Sequence, residues 1–101
     1  MPHNEHGVKE AVKRRLKKVG AWWTMPHQRG FSQAGVPDIL ACVNGRFLAI
    51  ETKFGNNKPT TRQTQQIELI EKAGGIALVV NENNLEGLED LLNGLAIREE
   101  P

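Results

Sequence analysis

The stretch Gly35–Lys53, GVPDILACVNGRFLAIETK, contains two short runs rich in Ile, Val, Leu and Phe, separated by Asn44-Gly45. Asn-Gly is the strongest short sequence signal for a two-residue hairpin, because a type I′ turn requires positive φ at both central residues. We therefore predict two antiparallel strands, Asp38–Val43 and Arg46–Lys53. This hairpin decides the fold, because its register determines which side chains share a face.

The two-residue loop fixes how side chains pair across the predicted hairpin. Counting outward from the turn, Val43 faces Arg46, and Asp38 falls directly opposite Glu51. Directly opposed residues point to one face of the sheet, with Cβ atoms about 4.5–5.5 Å apart. Lys53 lies two residues beyond Glu51, so the period of two places its ammonium group on the same face. The register thus predicts a cluster of two carboxylates and one lysine.

Two facing carboxylates raise the free energy of a folded chain unless a proton or a cation lies between them. Mg²⁺ is commonly held by one or two carboxylates together with water molecules. We therefore interpret Asp38 and Glu51 as candidate ligands of Mg²⁺ or Mn²⁺, with Lys53 beside them to orient water or to offset charge on a phosphate. The alternative is a charged hairpin rim in which Lys53 bridges two surface acids, a common arrangement that contributes little stability.

The pairing of Pro37-Asp38 with Glu51-Thr52-Lys53 resembles the bipartite signature of the PD-(D/E)XK nuclease superfamily. The segments Gly-Val-Pro-Asp-Ile and Ile-Glu-Thr-Lys, with a later Gln and Gly-Gly, resemble its virus-type replication-repair nuclease (VRR-NUC) branch. The resemblance covers roughly residues 5–80. It implies an α/β fold with a restriction-endonuclease-like αβββαβ core, in which a mixed central sheet is flanked by helices.

The resemblance also implies a set of metal ligands. Asp38 and Glu51 would hold Mg²⁺ or Mn²⁺, and the backbone carbonyl of Ile50 or Thr52 is a further candidate ligand. Glu5 matches the acid that the family carries on its first helix, and it would contribute through a water molecule. The alternative for Glu5 is helix-start chemistry, because the helix dipole favours an acid in the first turn.

The resemblance implies two further residues with catalytic roles. Lys53 would orient the attacking water, and Gln63 would position it. Gln63 also completes a capping box with Thr60 at the start of a predicted helix, and it can serve both purposes. The residues expected at the catalytic centre are Asp38, Glu51, Lys53, Gln63 and Glu5.

The remaining segments supply the other elements of the core. Asn4 can cap a helix from about Glu5 to Val19, and Ala21–Met25 is predicted to be a short strand. The uninterrupted apolar run Ile76–Val80 is typical of a buried strand paired in parallel. A leucine-rich helix over about residues 84–95 follows and lies outside the resemblance. We expect residues 1–101 to form a single domain.

Composition limits the classes of function. No apolar run approaches the length of a membrane span, and we expect neither a membrane partner nor an organic cofactor. The single cysteine, Cys42, excludes an internal disulfide and fits a reducing compartment, so we expect a cytoplasmic protein. The compact chain and the family resemblance favour a phage or a bacterial host cell. We interpret Cys42 as a small core residue rather than a nucleophile.

Positive charge is concentrated in the first part of the chain. Residues 1–62 carry eleven of the thirteen Lys and Arg residues and four acids, whereas the remainder has a net charge of about −6. The basic part contains the candidate site, and phosphate contacts supply most non-specific affinity for nucleic acids. The candidate DNA-binding residues are His27, Arg29, Lys58, Lys13 and Lys17.

These features together predict a metal-dependent, structure-specific DNA endonuclease. The resemblance implies a homodimer that acts on branched DNA such as Holliday junctions. Two alternatives stay open: a non-catalytic DNA-binding module with the same fold, and a less selective nuclease or nickase.

Overall fold

The computed structural model describes residues 2–26 and 34–97. Three helices and four strands follow one another in the order αβββαβα. Their bounds are α1 Glu5–Lys18, β1 Trp22–Thr24, β2 Ile39–Val43, β3 Arg46–Thr52, α2 Thr61–Lys72, β4 Ile76–Val80 and α3 Leu85–Ala96. The strands form one sheet in the order β1-β2-β3-β4, in which only β3 and β4 are parallel. This is the predicted mixed sheet with a C-terminal helix added.

The turn between β2 and β3 has the predicted geometry. Asn44 and Gly45 both have positive φ, 49° and 82°. The register is also as predicted, from Val43 opposite Arg46 to Ile39 opposite Ile50. Each strand is one residue shorter than predicted at the open end of the hairpin. β2 begins at Ile39 rather than Asp38, and β3 ends at Thr52 rather than Lys53.

The hydrophobic core lies between one face of the sheet and helices α1 and α3. Asn4 caps α1 as predicted, since its Oδ1 accepts a hydrogen bond from the Gly7 N–H at 2.8 Å. Within the described ranges, no helix has the length and apolar character needed to span a membrane. The buried apolar side chains of the core are Val8, Ala11, Val12, Leu16, Ile39, Ala41, Val43, Leu48, Ile50, Val80, Leu85, Leu88 and Leu92.

The second face of the sheet is covered by α2, which packs mainly on β3 and β4. Because side chains alternate along β3, Leu48 and Ile50 point into the core, whereas Ala49 and Glu51 point toward α2. No residue of α2 is fully buried. Helix α2 therefore buries little of its own surface on this face of the sheet, and the Glu51 side chain lies between α2 and β3.

The part of the second face formed by β1 and β2 is open. Trp22, Cys42 and Phe47 are neighbours across three strands and are exposed there. The expectation that Cys42 is a core residue is therefore wrong, because alternation assigns a residue to a face but does not tell which face is covered. Trp23 points to the opposite face of the sheet and packs against the core. The Lys13 ammonium lies over its ring, 5.7 Å from the ring centroid.

Asn44 also connects the hairpin turn to the end of α3. Its side-chain amide donates to the carbonyl oxygens of Leu95 at 3.2 Å and Ile97 at 3.4 Å. These carbonyls lie at a helix C-terminus, where backbone acceptors have no partner within the helix.

We expect Asn44→Gly to lower the free energy of unfolding by about 1 kcal/mol, because glycine accepts the positive φ but loses the side-chain hydrogen bonds. Asn44→Ala should lower it further, because it also strains the turn. Urea unfolding followed by circular dichroism measures both values. Equal stability of Asn44→Gly and the wild type would contradict a role for the contact with α3.

Candidate active site

Asp38 lies just before β2, and one of its oxygens is fixed by the end of β3. Its Oδ2 accepts hydrogen bonds from the backbone N–H of Thr52 at 3.0 Å and from the Thr52 hydroxyl at 2.7 Å. Thr52 itself is fully buried. Although regular pairing stops at Ile39, these two bonds hold Asp38 beside the strand that carries Glu51. Its other oxygen, Oδ1, remains available for a cation.

The Glu51 carboxylate is almost completely buried, with 1% of the residue exposed. Its Oε2 accepts a hydrogen bond from Gln63 Nε2 at 2.9 Å and pairs with Lys53 Nζ at 3.3 Å. Among the described residues, its Oε1 has no hydrogen-bond partner although it is buried. A buried acceptor without a partner is costly, so this oxygen marks a place where a ligand is expected.

Gln63 serves the helix and the site together. Its Oε1 accepts a hydrogen bond from the Thr60 N–H at 2.8 Å, and the Thr60 hydroxyl accepts one from the Gln63 N–H at 3.2 Å. The predicted capping box is therefore present. The opposite end of the same amide donates to Glu51, so the cap sets the orientation of the group that holds the carboxylate.

Gly35 brings the segment before Asp38 against the first turn of α2. A Cβ atom at this position would lie 2.6 Å from the Arg62 carbonyl and 2.9 Å from the Gln63 nitrogen, and the φ of Gly35 is +81°. Only glycine fits both the close approach and the left-handed backbone. This contact lets Asp38 and Gln63 reach the same end of the sheet.

Burial and charge change the proton affinity of Glu51. Burial, followed by the charge of Asp38, raises the pKa of Glu51 from its ordinary value of 4.5 to about 7, although Lys53 acts in the opposite direction. The charge of Glu5 raises this pKa as well. Burial and the neighbouring carboxylates thus both oppose ionisation of Glu51, a penalty that a bound cation would reduce.

Helix α1 brings two charged residues to Asp38. Glu5 Oε2 pairs with Lys9 Nζ at 3.7 Å, and the same ammonium lies 3.9 Å from Asp38 Oδ1. Lys9 is not among the site residues predicted from the sequence. Its spacing of four residues from Glu5 was the available signal, because residues four apart on a helix are neighbours.

The donor set fits a hard divalent ion. No group of three or more His, Cys, Asp or Glu side chains in residues 2–26 and 34–97 could hold a metal. Mg²⁺ requires fewer, because it keeps several water molecules and binds through one or two carboxylates. Asp38 and Glu51 each have one oxygen fixed by the protein, and the buried Glu51 Oε1 is the observation that matches an ion.

The candidate DNA-binding residues are spread over the surface. Lys13 pairs with Glu10 at 2.8 Å, one turn along α1 from Lys9. Lys17 and Lys58 are exposed. His27 and Arg29 lie outside the described residues.

We expect the free energy of unfolding, measured without divalent ions, to fall as the pH rises from about 4.5 to 7. The raised pKa of Glu51 means that the native protein binds more protons than the unfolded chain over this interval, so stability is lost as the carboxyl ionises. Urea unfolding of the wild type and of Glu51→Gln at several pH values measures the effect. The free energy of unfolding of Glu51→Gln should fall less steeply with pH than that of the wild type. An equal pH dependence in the two proteins would show that Glu51 is not the source of the effect.

Solved structures similar to this chain include two VRR_NUC domains and a Holliday junction resolvase. A VRR_NUC domain matches with a TM-score of 0.74 and 26% identity over 85% of this chain and 94% of its own. A VRR_NUC domain protein matches with a TM-score of 0.69 and 21% identity over 92% of this chain and 88% of its own. Hjc, a Holliday junction resolvase of Archaeoglobus fulgidus, matches in fold with a TM-score of 0.54 and 21% identity over 73% and 65%.

No family model matches the sequence, and no curated protein is detectably similar to it. The likeness is therefore carried by the three-dimensional arrangement. The predicted resemblance to VRR_NUC domains is confirmed by structures, and this chain has the fold of a VRR_NUC domain, a nuclease fold shared in outline with a junction resolvase.

Proposed function

We propose that the protein is a metal-dependent endonuclease that hydrolyses phosphodiester bonds of DNA, with branched DNA such as Holliday junctions as its substrate. The observation that carries the proposal is the buried Glu51 Oε1, which has no partner among the described residues and belongs to a carboxylate close enough to Asp38 for that charge to raise its pKa. Such a pair is unfavourable in an empty protein and favourable around a cation.

The proposed ion is Mg²⁺ or Mn²⁺, held by Asp38 and Glu51. The carbonyl of Thr52 is a further proposed ligand, and Glu5 would act through a water molecule. When bound, the ion would lower the pKa of a water molecule and stabilise negative charge on the phosphate. Thr52 and Gln63 support this arrangement, because each fixes one oxygen of a ligand carboxylate and leaves the other available.

The reaction needs a water molecule in line with the bond that breaks. The water oxygen forms a bond to phosphorus as the phosphorus–oxygen bond to the leaving end breaks, and the leaving oxygen takes up a proton. Lys53 is proposed to orient this water, because its ammonium is held at Glu51 and only 13% of its side chain is exposed. Gln63, whose amide donates to the same Glu51 oxygen, is proposed to position the water.

The charge distribution supports DNA as the partner. Residues 1–62 contain the site and have a net charge of about +7, and a basic surface attracts a phosphate backbone before any specific contact forms. The proposed phosphate contacts are Lys13, Lys17, Lys58, His27 and Arg29. We also propose that the protein acts in the cytoplasm of a phage-infected or bacterial cell, where a free thiol is stable.

A homodimer is the proposed route to branched DNA, because a two-fold axis would present two sites to two strands. β4 supports this proposal, since it is an edge strand made of five apolar residues. An open apolar edge readily pairs with another chain. Leu69 on the neighbouring helix α2 is 58% exposed, which adds apolar surface on the same side.

A non-catalytic DNA-binding module is the second candidate function. The fold and the basic surface serve it equally well. It gives no reason, however, to bury Glu51 with one oxygen unpartnered or to keep Lys53 beside it. A less selective nuclease or nickase shares the proposed chemistry and differs only in substrate.

We expect the wild type to cleave a labelled four-way junction in Mg²⁺ or Mn²⁺, and Lys53→Ala to cleave it at least about 100-fold more slowly, because an oriented charge beside the reacting phosphate is lost. Gel analysis beside a matched linear duplex measures both activity and preference. Binding of DNA should persist in the variant.

Each part of the proposal can fail separately in this experiment. Equal cleavage of junction and duplex would contradict the preference for branched DNA and leave the chemistry intact. Binding without cleavage in either metal would favour the non-catalytic module.

We expect Glu5→Gln to slow cleavage about tenfold or more, as is typical when a group acting through water at a metal site is lost. Glu10→Gln is the matched control, since Glu10 lies on the same helix and pairs with Lys13 instead. Single-turnover rates compare the two. A larger loss in Glu10→Gln would show that the wrong acid of α1 has been assigned.

A further inference from the structure

Lys9 occupies the space that the proposed ion needs. Its ammonium lies 3.9 Å from Asp38 Oδ1 and 3.7 Å from Glu5 Oε2. Oδ1 is the oxygen of Asp38 that Thr52 does not hold, so it is the one a metal would bind. Lys9 is therefore the protein cation that faces Asp38 at this half of the site.

A divalent ion and an ammonium group exclude each other at such a short distance. An ion bound to Asp38 Oδ1 would lie within a few ångströms of the ammonium, and two positive charges at such a separation repel each other. The side chains of Lys9 and Asp38 are 25% and 18% exposed, so water screens this repulsion only in part. An ion bound to Asp38 Oδ1 would therefore drive Lys9 away from both carboxylates. The displaced ammonium needs another anion nearby.

The contacts of Lys9 are loose enough for such an exchange. Both distances exceed those of a good charge-assisted hydrogen bond, and 25% of its side chain is exposed. Lys13 differs, because it pairs with Glu10 at 2.8 Å and lies over the Trp23 ring. Lys53 differs as well, because it is less exposed and sits closer to its partner, Glu51.

We propose that Lys9 is a positioning residue that exchanges between carboxylate and phosphate, and thereby couples DNA binding to metal binding. Without DNA its ammonium neutralises Asp38 and Glu5. A backbone phosphate of the substrate attracts the ammonium away, which opens Asp38 Oδ1 and Glu5 to the ion. This inference rests on the proposed function. It adds that DNA binds first and that the metal ion binds fully only afterwards.

The exchange has a thermodynamic consequence in both directions. If DNA increases the affinity for the ion, the ion must increase the affinity for DNA by the same factor. The protein without DNA would bind the ion weakly, because Lys9 competes for the same oxygens. The complete site would therefore form mainly on DNA.

The test is a calorimetric titration of Ca²⁺, a hard ion with oxygen ligands, into the wild type and Lys9→Gln, without DNA and with a four-way junction shown by gel to stay uncut. Without DNA, we expect Lys9→Gln to bind the ion roughly tenfold more tightly, because a competing charge is gone. The junction should raise the affinity of the wild type, and it should raise that of Lys9→Gln much less.

Two control variants separate this effect from a general change of charge. Lys18→Gln removes the same charge from the same helix, near Glu89 rather than near the site, and should bind the ion as the wild type does. Lys9→Arg keeps the charge and should restore the coupling to DNA.

Two results would overturn the inference. If Lys9→Gln binds the ion with unchanged or lower affinity while its circular dichroism and melting temperature match the wild type, Lys9 does not compete for the site. If the wild type and Asp38→Asn both fail to bind the ion, with and without DNA, the proposed metal site itself fails. The first result leaves the proposed nuclease standing, so the two failures are distinguishable.

Discussion

The positive φ angles at Asn44 and Gly45 are the constraint on which the rest of the molecule depends. They close the hairpin with two residues, and this length fixes every pair between β2 and β3. A shift by one residue would turn Glu51 into the apolar core and Ile50 toward α2. The chemistry of the site is therefore determined about six residues away, at the other end of the strands.

The same hairpin creates an electrostatic conflict that the surrounding elements only partly relieve. β3 and the first turn of α2 fix one oxygen of each carboxylate, through Thr52 for Asp38 and through Gln63 for Glu51. Lys53 pairs with Glu51, and the Lys9 ammonium lies near Asp38. The pKa of Glu51 still rises to about 7, which shows that these partners do not offset burial and the neighbouring charge. The site is held ready for a cation at the expense of stability.

Much of this arrangement could be predicted from the sequence, because local rules govern it. The Asn-Gly turn, the capping box at Thr60 and the alternation along β3 each depend on a few neighbouring residues. Contacts between distant elements could not be predicted in the same way. The position of Lys9 depends on how α1 packs on the sheet, and the exposure of Cys42 depends on how far α2 reaches across it. The bonds from Thr52 to Asp38 depend on regular pairing beginning only at Ile39, one residue after Asp38.

The double use of Gln63 changes how relatives of this chain should be interpreted. One amide closes the cap of α2 and holds Glu51, so a descendant that lost the reaction would still need this glutamine to begin the helix. Its presence in another sequence is weak evidence of activity. The ammonium of Lys53 makes no comparable contribution to a helix or a turn, because its described side-chain contact is with Glu51. Under the proposed function, loss of Lys53 alongside a retained Gln63 would therefore mark a copy that keeps the fold without the proposed chemistry.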